Sequence, residues 1–211
     1  MRTKLLAAGP ASASVRYLFS HGAGAGMETP FMQAVTNLLT ERGVASFRFE
    51  FAYMTARRET GVKRPPPRAE RLVDEVRSAV AAMPPGPRPL IGGKSMGGRV
   101  ASLVADDLYA QGQIAGLVCL GYPFHPPNRP EQLRTAHLEG LKCPTLIVQG
   151  ERDPFGSRAE IKAMPLSPAI RFHWAADGDH DLGPRGASGY TRKANLAAAA
   201  DAIVDFAQSL A

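Results

Sequence analysis

Short apolar runs alternate with longer amphipathic segments along this entire chain, and that alternation limits the possible folds more than any other feature. The pattern belongs to a mostly parallel sheet covered by helices on both faces. We therefore expect an α/β protein with a three-layer, doubly wound sheet, in a single domain spanning residues 1–211. Strands are expected at 15–19, 46–51, 89–91, 114–120, 144–148 and 170–174. Between the first two, Thr29 reads as an N-cap with Pro30 at the first helical position. Phe31, Val35 and Leu38 share that helix's inner face, and Gly43 stops it. Leu72, Val76, Val80 and Met83 line a second helix that ends at Pro84-Pro85-Gly86-Pro87. A third helix is expected over 100–108, and Leu196, Ala200, Ile203, Ala207 and Leu210 mark a closing one.

Composition narrows the class further. A chain of 211 residues suits one domain with a deep core. No apolar run approaches the roughly 20 residues that span a bilayer, so no membrane partner is expected. The basic N-terminus has too short an apolar stretch for a secretory signal, which makes the cytoplasm the expected location. The two cysteines, Cys119 and Cys143, form no CxxC pair and read as buried free thiols. The net charge is +6. Much of the excess lies in one Pro-rich stretch holding Arg57, Arg58, Lys63, Arg64 and Arg68. No aromatic residues interleave there as a base-stacking surface requires, so no nucleic-acid partner is expected. The stretch reads as a solvated loop, with recruitment of an anionic substrate as its alternative.

The turns carry the chemistry. Gly93-Lys94-Ser95-Met96-Gly97 matches G-x-S-x-G and lies between an expected strand and an expected helix, where a serine projects from a strained turn. A serine hydroxyl becomes a useful nucleophile only when an imidazole takes its proton. Of five histidines, His180 is the best placed, in the polar turn Asp177-Gly178-Asp179-His180-Asp181 after the last strand. His173 lies inside that strand, where packing is its expected role, and His137 falls in a short helix. Asp153, after the strand at 144–148, is the candidate that orients the imidazole. The bland readings are a turn-forming Asp-Pro for Asp153 and a turn-capping surface histidine for His180. The order Ser95, Asp153, His180 along successive strand ends favours the catalytic reading. Backbone N–H groups of Ala23 and Met96 are the expected oxyanion donors, the first from the glycine-rich turn His21-Gly22-Ala23-Gly24.

Rival motifs fail on spacing. A phosphate-binding loop would need glycine where Arg88 stands. The dinucleotide fingerprint would need glycine where Met27 stands, and a calcium loop would need glycine in place of Leu182. Neither a metal nor another cofactor is expected.

With these residues identified, the chain resembles the α/β-hydrolases over nearly its whole length. It is similar to a small dienelactone-hydrolase-like group that also includes a hydrolase-like subunit of a eukaryotic histone-acetyltransferase complex. The resemblance is carried by Ser20-His21-Gly22-Ala23-Gly24, Gly93-Lys94-Ser95-Met96-Gly97-Gly98-Arg99, Gly121-Tyr122-Pro123-Phe124-His125-Pro126-Pro127 and Val148-Gln149-Gly150-Glu151-Arg152-Asp153-Pro154-Phe155-Gly156. It implies a minimal α/β-hydrolase fold without a lid domain and a triad of Ser95, Asp153 and His180. The short connection from Pro123 to Pro144 leaves little room for a cap. The expected substrate is a small-molecule ester or thioester, or an exposed acyl group, with His21, Gly22, Gly24, Lys94, Tyr122, Phe124 and His125 lining the binding site. The alternative is a catalytically silent scaffold that binds a protein or an acidic ligand. A monomer or homodimer is expected.

Overall fold

The computed structural model describes residues 3–210; Met1, Arg2 and Ala211, which the single-domain reading includes, lie outside them. Seven strands form one sheet: β1 (Leu6–Ala8), β2 (Arg16–Ser20), β3 (Ala45–Phe49), β4 (Leu90–Lys94), β5 (Gly116–Leu120), β6 (Thr145–Gly150) and β7 (Ile170–Ala175). Their order across the sheet is β1-β3-β2-β4-β5-β6-β7. Every pairing is parallel except β1 with β3. The chain therefore winds outward from β2 to β3, returns to place β4 on the other side of β2, and continues in that direction. This reversal opens a crevice at the carboxyl ends of β2 and β4, where ligands of doubly wound sheets bind.

The helices are α1 (Pro30–Glu41), α2 (Ala52–Thr60), α3 (Val73–Ala81), α4 (Met96–Ser102), α5 (Ala105–Ala110), α6 (Arg158–Ile161) and α7 (Arg192–Gln208). Thr29 caps α1 as expected, its side chain accepting the N–H of Met32. On one face of the sheet, Phe31, Met32, Val35 and Leu39 of α1 and Leu196, Ala199, Ala200 and Ile203 of α7 pack with Tyr17, Phe19, Leu90 and Val118. On the other face, Val76 and Val80 of α3, Val100 and Ala101 of α4 and Leu108 of α5 pack with Leu18, Phe47, Ile91 and Leu117. The interior strands have every residue buried, which explains their continuous apolar runs. Cys119 and Cys143 are free and buried. No described helix is long and apolar enough to cross a membrane.

Three differences from the sequence reading have physical causes. The edge strand β1 was not expected, because its only partner in the sheet, β3, lies far along the chain. Helix α2 occupies the start of what reads as a basic loop. Its segment is short of breakers until Gly61, which closes it in the left-handed conformation, and Arg57 and Arg58 in its last turn complement the helix dipole. Residues 61–68 are irregular. The helix expected over 100–108 is two pieces, α4 and α5, with α4 starting directly after Ser95.

The crevice depends on contact between backbones. A Cβ on Gly97 would lie 2.5 Å from Ser20 Oγ and 2.7 Å from His21 O, and one on Gly93 would lie 2.5 Å from Ser20 O. Gly97→Ala is expected to destabilise the fold by about 1–3 kcal/mol, the usual cost of overpacking a tight contact. Urea denaturation measures this, and an unchanged midpoint would contradict it.

Candidate active site

Ser95 joins β4 to α4 with φ 51 and ψ −116, a strained conformation for a residue with a side chain. Its N–H donates to Leu120 O at 2.9 Å, and the N–H of Arg99 donates back to Ser95 O at 3.1 Å. The sharp turn lifts the hydroxyl out of the sheet while Gly93 and Gly97 admit the neighbouring backbone. His180 Nε2 lies 2.9 Å from Ser95 Oγ. His180 Nδ1 lies 2.8 Å from Asp153 Oδ2. The Asp153 side chain is fully buried and that of His180 is 22% exposed. An ionised Asp153 accepts the Nδ1 proton, which leaves the Nε2 lone pair facing the serine hydroxyl.

Buried neighbours hold each of these groups. Gln149, at the end of β6, donates from Nε2 to Asp153 Oδ2 at 2.9 Å, to Tyr122 O at 3.1 Å and to Gly156 O at 3.1 Å. Its Oε1 accepts the N–H of Tyr122 at 2.7 Å, and the N–H of Phe155 donates to Asp153 Oδ1 at 2.8 Å. The Phe155 ring lies against the imidazole of His180, with centroids 4.2 Å apart. Asp179 Oδ1 accepts the N–H groups of Asp181 and Gly183. Asp177 binds the guanidinium groups of Arg152 and Arg185 and the N–H of Arg185. Those bonds, led by the Arg185 side chain, hold the Asp177 carboxyl down at about 2. This anchor is fully present above the ordinary Asp value and is lost only as pH falls through about 2.

The turn after β2 supplies the second wall. His21 Nε2 accepts the N–H of Phe51 at 3.1 Å, so Nδ1 carries the proton and donates to Gly22 O at 2.7 Å. Burial lowers the His21 pKa and keeps the ring neutral. Tyr53 OH donates to Ala23 O at 3.0 Å, and Arg57 donates to Gly24 O at 2.9 Å. Burial raises the Tyr53 hydroxyl to about 12, so it remains a donor. In a trans peptide the N–H points opposite the carbonyl. Tying Gly22 O to His21 therefore turns the Ala23 N–H away from that ring. Met96 N–H is at the first position of α4, where no intrahelical acceptor exists.

The structure sorts the expected binding residues into two groups. Gly24 is exposed on the turn and Gly22 is half-buried. His21, Lys94, Tyr122, Phe124 and His125 are buried, which corrects their expected place on the pocket wall. Tyr122 OH is used on Arg134 O at 2.9 Å, and Phe124 packs on Tyr122 and Phe172. His125 Nδ1 contacts Pro126 O at 2.9 Å. Lys94 Nζ donates to His180 O at 2.8 Å and pairs with Asp181 at 3.2 Å. Burial lowers its pKa, while Asp181 opposes that shift. Lys94 therefore pins the loop that carries His180, and its charge is already used. Sequence reasoning missed Gln149 and Tyr53. Gln149 left one signal, a lone polar side chain ending the apolar run Leu146-Ile147-Val148; Tyr53 left none. Among the described residues no cluster of histidine, cysteine and carboxylate side chains is arranged to hold a metal.

The family model of an alpha/beta hydrolase domain matches residues 13–208, and the chain belongs to that family. Its fold is similar to a dienelactone hydrolase from Anabaena variabilis, with a TM-score of 0.71 at 20% identity, covering 98% of this chain and 91% of that one. A serine hydrolase without a lid from Xanthomonas campestris gives 0.66 at 15% identity, covering 98% and 88%. Est1E from Butyrivibrio proteoclasticus, with ferulic acid bound, gives 0.65 at 15% identity, covering 96% and 94%. The protein thus has a minimal α/β-hydrolase fold.

Gln149→Leu keeps much of the side-chain volume but leaves Tyr122 N–H and Asp153 Oδ2 each short of a partner. A loss of about 1–3 kcal/mol in urea denaturation is expected from the unsatisfied buried groups; a neutral effect would mean that water replaces the amide.

Proposed function

We propose that this protein is a serine hydrolase that cleaves carboxylic ester or thioester bonds through an acyl-enzyme on Ser95. The observation that carries the reading is the unbroken hydrogen-bonded line from Ser95 Oγ through His180 to Asp153, at 2.9 and 2.8 Å. Ser95 Oγ attacks the substrate carbonyl while His180 Nε2 takes the hydroxyl proton. Asp153 holds the imidazole in the required tautomer and offsets the imidazolium charge. The carbonyl oxygen, now anionic, is stabilised by the N–H groups of Ala23 and Met96 and by the N-terminal end of α4. His180 then passes its proton to the departing alkoxide or thiolate, and the ester or thioester bond breaks. A water molecule, deprotonated by the same imidazole, attacks the acyl carbon; the bond to Ser95 Oγ breaks, His180 returns the proton to Oγ, and the carboxylic acid leaves.

Substrate size follows from the connection between β5 and β6. It holds only a short 3-10 turn, Ala136–Leu138, and no separate lid domain. An open crevice suits small soluble esters and acyl groups displayed on larger molecules, in keeping with a cytoplasmic enzyme.

Ser95→Ala is expected to lower kcat for short p-nitrophenyl esters by about a thousandfold or more, with its melting temperature near that of the parent protein. A fluorophosphonate probe is expected to label Ser95 in the parent only. Equal hydrolysis by both proteins would remove Ser95 from the mechanism. Protonating His180 Nε2 fills the lone pair that takes the serine proton, so kcat/KM is expected to fall on acidification. The bonds on Asp177 lower its pKa to about 2, so this contact on the turn before His180 is expected to persist through that fall, and a loss of activity that tracks unfolding in circular dichroism would contradict it.

A further inference from the structure

Helix α2 holds the turn after β2 by its carbonyl groups. Tyr53 and Arg57 are four residues apart on α2, so their side chains leave the same face. The Tyr53 hydroxyl lies 3.0 Å from Ala23 O and 3.5 Å from Gly22 O, and Arg57 donates to Gly24 O at 2.9 Å. His21 Nδ1 also donates to Gly22 O at 2.7 Å, so three successive carbonyls of the glycine-rich turn are taken by side chains. The amides of the turn are not. Among the described residues the N–H groups of Ala23, Gly24 and Ala25 have no protein acceptor.

The direction of that pull follows from the sheet. α2 leaves the carboxyl end of β3, Ser95 follows β4, and β2 lies between these two strands. The turn after β2 therefore has α2 on one side and Ser95 on the other, where a Cβ on Gly22 would be 3.7 Å from that of Ser95. Every peptide of the turn is trans, so a carbonyl drawn toward α2 sends the N–H of the same peptide toward the β4 side. Tyr53 touches both peptides that carry the Ala23 and Gly24 N–H groups. Its ring is held by Phe51, with centroids 6.3 Å apart, and edge-on by His21 at 6.0 Å. A glycine-rich turn has many conformations open to it, and these bonds select one.

We propose that Tyr53 is a positioning residue for ester cleavage: its hydroxyl, with Arg57 beside it, fixes the peptides of this turn so that their N–H groups meet the anionic oxygen formed on the substrate. The inference rests on the serine hydrolase reading and extends it to a helix outside the Ser95, His180 and Asp153 line. Tyr53 exchanges no proton with the substrate and acts only through the backbone. An amide already directed at the oxygen needs no reorganisation as charge develops there, which is how such donors lower a barrier.

The test uses p-nitrophenyl acetate and its thiono analogue, in which sulfur replaces the carbonyl oxygen. Sulfur accepts amide hydrogen bonds poorly, so the oxo-to-thiono ratio of kcat/KM reads the oxyanion contact itself. Tyr53→Phe removes the hydroxyl and keeps the ring beside Phe51. It is expected to lower that ratio by about tenfold, with kcat for the oxo ester reduced and its KM nearly unchanged. Arg57→Met keeps the stem and loses the donor; it should lower the ratio by less, and it is the deciding variant if Tyr53→Phe fails to fold. A hydroxyl that merely docks α2 would act on both esters alike, so rates that fall by one common factor, or do not fall, overturn the proposal. An unchanged ratio beside Ser95-dependent cleavage removes this inference alone. No Ser95-dependent cleavage of either ester by the parent protein overturns the hydrolase reading and the inference with it.

Discussion

The approach of one backbone to another at the β2–β4 boundary is the constraint on which this site depends. Ser20 and His21 lie against Gly93 and Gly97 at distances that leave no space for a side chain. That contact lets the chain reverse within a single residue, Ser95, held at φ 51. A strained residue persists only where its surroundings over-determine it. Here the surroundings are two parallel strands, the start of α4, and the bond from Ser95 N–H to Leu120 O. The same packing brings the turn after β2 next to the serine, a Cβ on Gly22 lying 3.7 Å from that of Ser95.

Around this turn the protein uses buried polar groups as spacers. Gln149 satisfies donors and acceptors on three segments at once, and Lys94 ties the residue beside Ser95 to the backbone of His180. His21 does similar work, with both ring nitrogens occupied by backbone partners. Satisfied networks of this kind lock geometry because any displacement leaves an unpaired group in a low-dielectric interior. The imidazole of His180 is therefore fixed from behind by Asp153, from the side by Phe155 and through its own carbonyl by Lys94.

How much of this was legible in the sequence depended on whether the signal was local. The strands β2 to β7 and the layered architecture followed from runs of apolar residues, and the caps of α1 from Thr29 and Pro30. Ser95, Asp153 and His180 stood out because each falls just past an apolar run. Helix α2 was hidden because it buries only Met54 among basic and polar residues, and β1 because its pairing partner is remote. The buried residues around the site misled for a related reason. Tyr122, Phe124 and His125 leave a strand at the crevice end, but their side chains turn into the core; spacing fixes where a residue lies along the chain and not where its side chain points. Lys94 read as a residue lining the binding site because its partners, His180 and Asp181, are nearly ninety residues away.

The two rims of the sheet differ from its interior. β1 contributes three residues running against its neighbour, and β7 presents exposed Arg171 beside half-buried His173 and Trp174. An incoming peptide would find a rim too short to hold it at one side and a guanidinium in its path at the other, features that discourage strand addition. The molecule can thus keep a wholly buried, strongly apolar centre without offering that sheet as a template for fibrous growth.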